Sequence, residues 1–244
     1  MKTIKALYLA NAREFLREKM AIFLVLLLPV TIMGFFGLVF GSDLTPEGMF
    51  GQQMGGMLGV ALLWLGLFGT AMPIAQQRQG QVFRRLHVTP LSRAALLTAQ
   101  VSWRVTIGLL QAGLFLLVGW LGFGVQVQGS PLLLLLAVLV GTMLFVSLGY
   151  LLAGLLPTVE GVNAVSQLVN FPMMFLSGSL FSLEMMPDAL QVVARALPLT
   201  YLADAFRQII VAAPPLYSLG LDFAVLGGWL LVLLVLGMRF WRWE

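Results

Sequence analysis

Hydrophobic residues run along this chain in six long blocks separated by short polar breaks. A helix rising about 1.5 Å per residue needs about twenty such residues to cross a hydrocarbon core of about 30 Å. The blocks therefore predict spans at about 20–40, 54–74, 105–123, 132–156, 162–180 and 219–238. Ahead of them, Ile4, Leu7, Tyr8, Ala12, Phe15 and Leu16 recur at helical spacing, with the charged residues mostly elsewhere on the wheel. Residues 1–19 thus read as an amphipathic helix lying along the headgroups and leading into the first span, against the alternative of a frayed, solvated terminus.

Breaks in the pattern refine the elements. Pro29 predicts a loosened or kinked first span, and Pro157 marks the end of the fourth. Gly51, Gly55 and Gly59 repeat every four residues and offer a smooth strip to another helix, either a dimer contact or, in preference, internal packing. The fifth block is less apolar: Asn163, Ser166, Gln167 and Asn170 share one face, which either lines a path or hydrogen-bonds to neighbouring helices. Residues 181–218 are too polar to span, yet Leu190, Val193, Leu197, Leu199 and Tyr201 predict short helices packed at the outer surface.

Charge orients the layout. Of the fourteen Lys and Arg residues, five lie in 1–19, five in 75–104 (Arg78, Arg84, Arg85, Arg93 and Arg104) and two in the tail; only Arg195 and Arg207 fall on the other side. Basic residues near span ends stay in the cytoplasm, so both termini are expected there. Arg239, Trp241, Arg242 and Trp243 then form an inner interfacial anchor. A chain 60% hydrophobic and 10% charged, with a mean hydropathy of +0.97, has the bilayer as its main solvent. The net charge of +4 is therefore topological, and nucleic acid is not an expected partner. A removable signal peptide is not expected either.

Candidate chemistry is sparse. With no cysteine and one histidine, His87, thiolate sites and two-histidine zinc motifs are excluded. Ser177 and Ser179 have no evident base and read as packing residues, and no G-x-x-x-x-G-K-[ST] loop is present to hold a nucleotide. Glu160 and Asp222 sit at predicted span ends and read as solvated or interfacial, not as buried relays. In the acid-free loop 75–104, residues 81–87 read as a short amphipathic helix with Val82, Phe83 and Leu86 on its apolar side. Thr89 and Pro90 stop it, and Thr89 or Ser92 caps the helix that follows. Such a helix is either a knob for a partner's groove or a segment lying on anionic lipid.

Two stretches carry a family likeness. QRQGQVFRRLHVTPLSR at 77–93 and FPMMFLSGSLFSLEMMPDALQVVARALPLTY at 171–201 resemble the permease subunits of bacterial type-2 ABC exporters, and the six-span layout agrees over essentially the whole chain. Gln79 stands where that family often has glutamate, and Ser182 where a proline is common. The resemblance implies an all-α integral membrane domain of the bacterial inner membrane, paired with a second permease, identical or related, above two cytoplasmic ATPase subunits. ATP and Mg would sit on those subunits and no cofactor on this chain, which is not itself an enzyme. It further implies that Gly80–Thr89 is the coupling helix between spans two and three, with Gly80, Phe83, Arg84, Arg85, Leu86, Thr89 and Pro90 meeting the ATPase and Glu160 acting as a hinge or coupling contact. The 181–218 segment would cap the exit side. Asn163, Gln167 and Asn170 are the candidates for a substrate path. A charge-poor interior favours a hydrophobic drug-like or lipid-like cargo; polysaccharide or glycoconjugate export is the alternative, and an ATP-independent channel or carrier the rival from another class.

Overall fold

Every regular element among the described residues of this computed structural model, which are 2–40, 49–81, 92–181 and 183–240, is helical. In chain order these are α1 (Lys2–Arg17), α2 (19–40), α3 (49–79), α4 (Arg93–Phe123), α5 (Pro131–Leu155), α6 (Val159–Leu176), a 3-10 turn (Leu183–Met185), α7 (Asp188–Ala194), α8 (Pro198–Val211) and α9 (Leu219–Phe240). Four stretches among them are long and apolar enough to cross a membrane: Gln53–Gln79, Ala94–Phe123, Pro131–Leu155 and Leu219–Phe240; Phe23–Val39 is a shorter apolar helix. The expected anchor at 241–243 lies outside the described residues.

α1 lays its stripe on α4. Trp103 takes the rings of Tyr8 and Phe15 edge-on at 5.4 and 5.8 Å, and the Tyr8 hydroxyl donates to Thr106 Oγ1 at 2.9 Å. The amphipathic pattern is thus spent partly on protein, not only on a headgroup layer.

α2 runs through a π-helical turn, Phe23–Leu27, immediately before Pro29. Proline has no N–H for the carbonyl four residues back, which is that of Val25, and its ring crowds that carbonyl. Gln111 on α4 takes the place of the missing donor: its Nε2 donates to Val25 O at 2.7 Å. α3 has a second π turn, Leu67–Ala71, ahead of Pro73; there Thr70 Oγ1 donates to Leu65 O at 2.9 Å, not to the Gly69 carbonyl four residues before the proline.

The glycines of α3 serve internal packing. A Cβ on Gly55 would meet the backbone of Arg207, and one on Gly59 would reach Leu199, so the strip receives α8. Further along, Gly66 faces the carbonyl of Phe145 and Gly149 faces the carbonyl of Gly66, which brings α3 and α5 together backbone to backbone. α4 begins at Arg93, well before the expected span, because Ser92 caps it by accepting from the Ala95 N–H at 3.2 Å. It ends at Gly124 in the left-handed region (φ 68°), which closes the last turn.

Residues 181–218 hold short helices, as expected, in α7 and α8. Twelve of the fourteen α8 residues are buried, packed on α3, α5 and α9. Two polar side chains of α8, Asp204 and Gln208, tie it to the return toward α9, while Arg207 Nη2 is buried without a partner among the described residues. The carboxylate of Asp204, 1% exposed, accepts the N–H groups of Leu216 at 3.1 Å and Tyr217 at 2.9 Å. Gln208 Nε2 donates to Asp204 Oδ2, to Asp222 Oδ2 and to Tyr217 O at 3.0, 3.1 and 2.9 Å. Asp222 is therefore fully buried, not solvated as its place in the chain suggested. Ser177 and Ser179 pair hydroxyl to hydroxyl at 2.7 Å, also buried.

Candidate substrate cleft

α3 forms the back wall of a cleft of about 590 Å³. Leu24, Val25 and Leu28 of α2 stand on one side and Asn163, Gln167 and Asn170 of α6 on the other, while α1 and the residues Trp103 and Arg104 of α4 complete the wall. Both π turns contribute, through Val25 and through Phe68 and Gly69. A Cβ on Gly69 would lie 3.3 Å from Val25 Cγ2, so the bare backbone there lets α2 and α3 approach.

The three path candidates from sequence line this cleft together. Asn163 is exposed, Gln167 is half-buried, and Asn170 is buried with its Oδ1 accepting from Trp64 Nε1 at 2.9 Å. The polar face of α6 thus divides: Asn170 joins two helices, while Asn163 and Gln167 offer free amide surface to the cleft. Ser166 is buried on the same helix, away from the cleft lining.

Of the coupling candidates, Gly80 caps the end of α3 and Glu160 stands in the first turn of α6; both are exposed. Phe83, Arg84, Arg85, Leu86, Thr89 and Pro90 lie outside the described residues. What joins Gly80 to the rest is Arg78. Its Nη1 donates to Ala153 O at 2.6 Å and its Nη2 to Leu156 O, so the last turn of α3 closes the C-terminal carbonyls of α5. Nearby, Tyr150 Oη donates to Gln100 Oε1 at 2.9 Å and Gln100 Nε2 approaches Gln77 Oε1 at 3.4 Å. The end of α3, the start of α4 and the end of α5 are held as one junction, from which Thr158 starts α6 by accepting from the Gly161 N–H at 3.0 Å.

Sequence reasoning did not single out Asn11, Trp64, Trp103 or Arg104, all of which line the cleft. Arg104 had a legible signal: once Ser92 caps α4, this arginine stands three turns inside an otherwise apolar helix instead of closing a loop. The others are unmarked in the chain, because only the packing of α1 on α4 and of α6 on α3 turns them to one space.

Comparison with known proteins places this geometry. The sequence family described as ABC-2 type transporter matches residues 2–211. The chain belongs to the ABC-2 type transporter family. It is accordingly a multi-pass membrane protein, the permease component of a transporter. Among relatives of this ABC-2 permease is nodulation protein J of Rhizobium leguminosarum bv. viciae, 28% identical over 162 residues that make up 65% of this chain and 61% of the relative. Nodulation protein J of Rhizobium meliloti is 29% identical over 174 residues, 70% of this chain and 65% of that protein. The ycf38 protein of Cyanophora paradoxa is 30% identical over 148 residues, 58% and 50% of the two chains. The permease thus covers less than two thirds of the length of each of these relatives.

Proposed function

We propose that this permease is the membrane subunit of an ATP-driven exporter that moves a hydrophobic, lipid-like or drug-like substrate out of the cytoplasm through the cleft between α2 and α6. The observation that carries the reading is the position of the cleft. Its back wall, α3, ends at Gly80, where the coupling segment 80–90 begins, and one side of it, α6, starts at the Arg78-tied junction. A partner that pulls on the segment therefore acts on both walls. In this reading six helices, α2 to α6 and α9, cross the inner membrane with both termini in the cytoplasm. Two ATPase subunits bind ATP and Mg beneath a pair of permeases, and Phe83, Arg84 and Arg85 seat the coupling helix in the ATPase groove. The ATPase acts by contacts that differ between its open and closed states, as any ligand-driven shift requires.

The first test is purification of the tagged chain from its native membrane in mild detergent. A stoichiometric nucleotide-binding subunit, lost in an Arg84→Glu/Arg85→Glu variant that still folds, is the expected result; a chain that purifies only with itself even after crosslinking transfers the case to an ATP-independent channel or carrier. Within the cleft, Gln167→Leu is expected to reduce transport while leaving thermal stability unchanged. A stability loss with no selective transport defect would assign Gln167 to helix packing.

A further inference from the structure

We infer that α1 carries a docking face for anionic phospholipid, built of Lys5, Leu9, Arg13 and Leu16, and that the lipid holds this helix from a side that α4 leaves open. Such a lipid is a fixture of the permease, not its cargo, and its presence does not depend on the exporter reading.

The face follows from helix geometry. At 3.6 residues per turn, Lys5, Leu9, Arg13 and Leu16 fall within an arc of about 80° on α1. Tyr8, Ala12 and Phe15 lie about a quarter-turn away and pack with Trp103 of α4. Asn11, Glu14 and Glu18 turn the other way and line the cleft. The segment thus has three distinct sides, and neither of its acids shares the one that holds Lys5 and Arg13.

On that side Leu9 is 41% and Leu16 66% exposed, with Lys5 and Arg13 exposed beside them. The apolar stripe of the sequence joined Leu16 to the residues that pack on α4, but its spacing sets it with Leu9 instead. Height is fixed by the chain: α2 begins at Lys19, two residues after α1 ends, so α1 is kept where an apolar helix leaves the bilayer. There the leucines enter the acyl boundary while the cations stay among the headgroups. Phe23 and Leu27, exposed one and two turns along α2 and not part of the cleft lining, continue the apolar surface towards the acyl chains.

Charge selects the occupant. Arg17 and Lys19, both exposed at the corner between α1 and α2, add to Lys5 and Arg13. Basic residues on an interfacial helix attract an acidic headgroup, whereas a zwitterionic one brings its own ammonium and gains little. A soluble protein would have to reach Leu9 and Leu16 at the depth where α2 enters the bilayer. With lipid on one side and Trp103 on another, α1 is held so that Asn11 and Glu14 stay on the cleft wall.

The test is photolabelling of the full-length permease in phosphatidylcholine nanodiscs. Two lipids with identical acyl chains and a diazirine beside the headgroup are compared, a phosphatidylglycerol and a phosphatidylcholine. Labelled peptides covering 3–19 are counted by mass spectrometry against peptides containing Leu132, exposed at the start of α5 with no charged residue near it in sequence. Phosphatidylglycerol is expected to label 3–19 about tenfold above phosphatidylcholine, equivalent to about 1.4 kcal/mol, and Lys5→Gln combined with Arg13→Gln to bring the two lipids near parity. In the unaltered chain the preference should also fade as salt rises from about 0.1 to about 1 M, which shortens the Debye length from about 10 to about 3 Å. This salt series carries the test on its own where the variant's thermal unfolding departs from the parent's. Equal labelling by the two lipids, a preference that survives the substitutions or high salt, or one equally strong at Leu132 overturns the inference. So does loss of the preference to inorganic phosphate at matched ionic strength, which would assign the face to a free anion, or protection of 3–19 by a copurifying ATPase, which would make it a protein interface. Labelling needs no nucleotide and no second subunit, so a permease shown not to be an exporter still displays the preference, and an exporter without it refutes this face alone.

Discussion

At the scale of single residues, one polar side chain of this apolar protein repairs backbone that a proline has opened. Pro29 leaves Val25 O without its helical donor, and Gln111 reaches across from α4 to supply one at 2.7 Å. Both the carbonyl and the amide are buried, so their loss is not made good by solvent. Gln111→Leu is expected to lower stability by about 1–3 kcal/mol, the cost of an orphaned buried acceptor. In a Pro29→Ala background the new N–H serves Val25 O directly, so the same substitution should cost less. Thermal denaturation of the four proteins in one detergent gives the cycle, and strict additivity would show that Gln111 serves something other than this carbonyl.

Among the elements, α8 is the one whose place the physics of lipid explains best. Lipid tails are as apolar as leucine, so helices associate through close packing and hydrogen bonds rather than through exclusion of water. Gly55 and Gly59 open room for α8 on α3, and Asp204 fastens the return to α9 by accepting the Leu216 and Tyr217 N–H groups. Asp204→Ala leaves those two donors with no carboxylate and is expected to cost about 1–3 kcal/mol in all, since exposed Leu216 can turn its N–H to solvent. Hydrogen exchange at Leu216 and Tyr217 should rise ahead of global unfolding, while α5 stays protected. Exchange unchanged at these two amides would mean that Asp204 does not hold the turn. Asp204→Asn, which keeps one acceptor oxygen, should show the smaller effect.

For the whole molecule, the question on the exporter reading is how force applied at 80–90 would reach the cleft. Arg78 gives a direct mechanical route, since α3 and the end of α5 are joined through its guanidinium and α6 follows within a few residues. Under the exporter reading, Arg78→Ala is expected to leave ATP hydrolysis by the assembled transporter near its parental rate and to reduce transport about fivefold or more, the low end for coupling free energies of about 1–3 kcal/mol. Arg78→Lys, with no planar fork to span two carbonyls, should fall between them. A joint loss of hydrolysis and transport would point to failed assembly instead, and parental transport in both variants would remove the strap from the mechanism. The large apolar side chains that α9 leaves exposed, Leu231, Val235 and Met238 among them, suit a lipid-facing flank away from the cleft.

Hydrophobic block length, one arginine-rich loop and two local motifs were enough to read the class of this protein from its chain: helical, membrane-borne and of the ABC-2 kind. These features are local, and a block about twenty residues long has few other uses in any fold. The amides of α6 were equally plain, because helical spacing alone puts Asn163, Gln167 and Asn170 on one face. Tertiary structure decided what spacing does not encode: that α8 enters the bundle, that Asp222 is buried with it, and that Asn11, Trp103 and Arg104 meet the α6 amides around one space. The reason is that a site in a membrane bundle is made between helices, and the crossings that make it depend on where glycines let backbones touch and where prolines bend them.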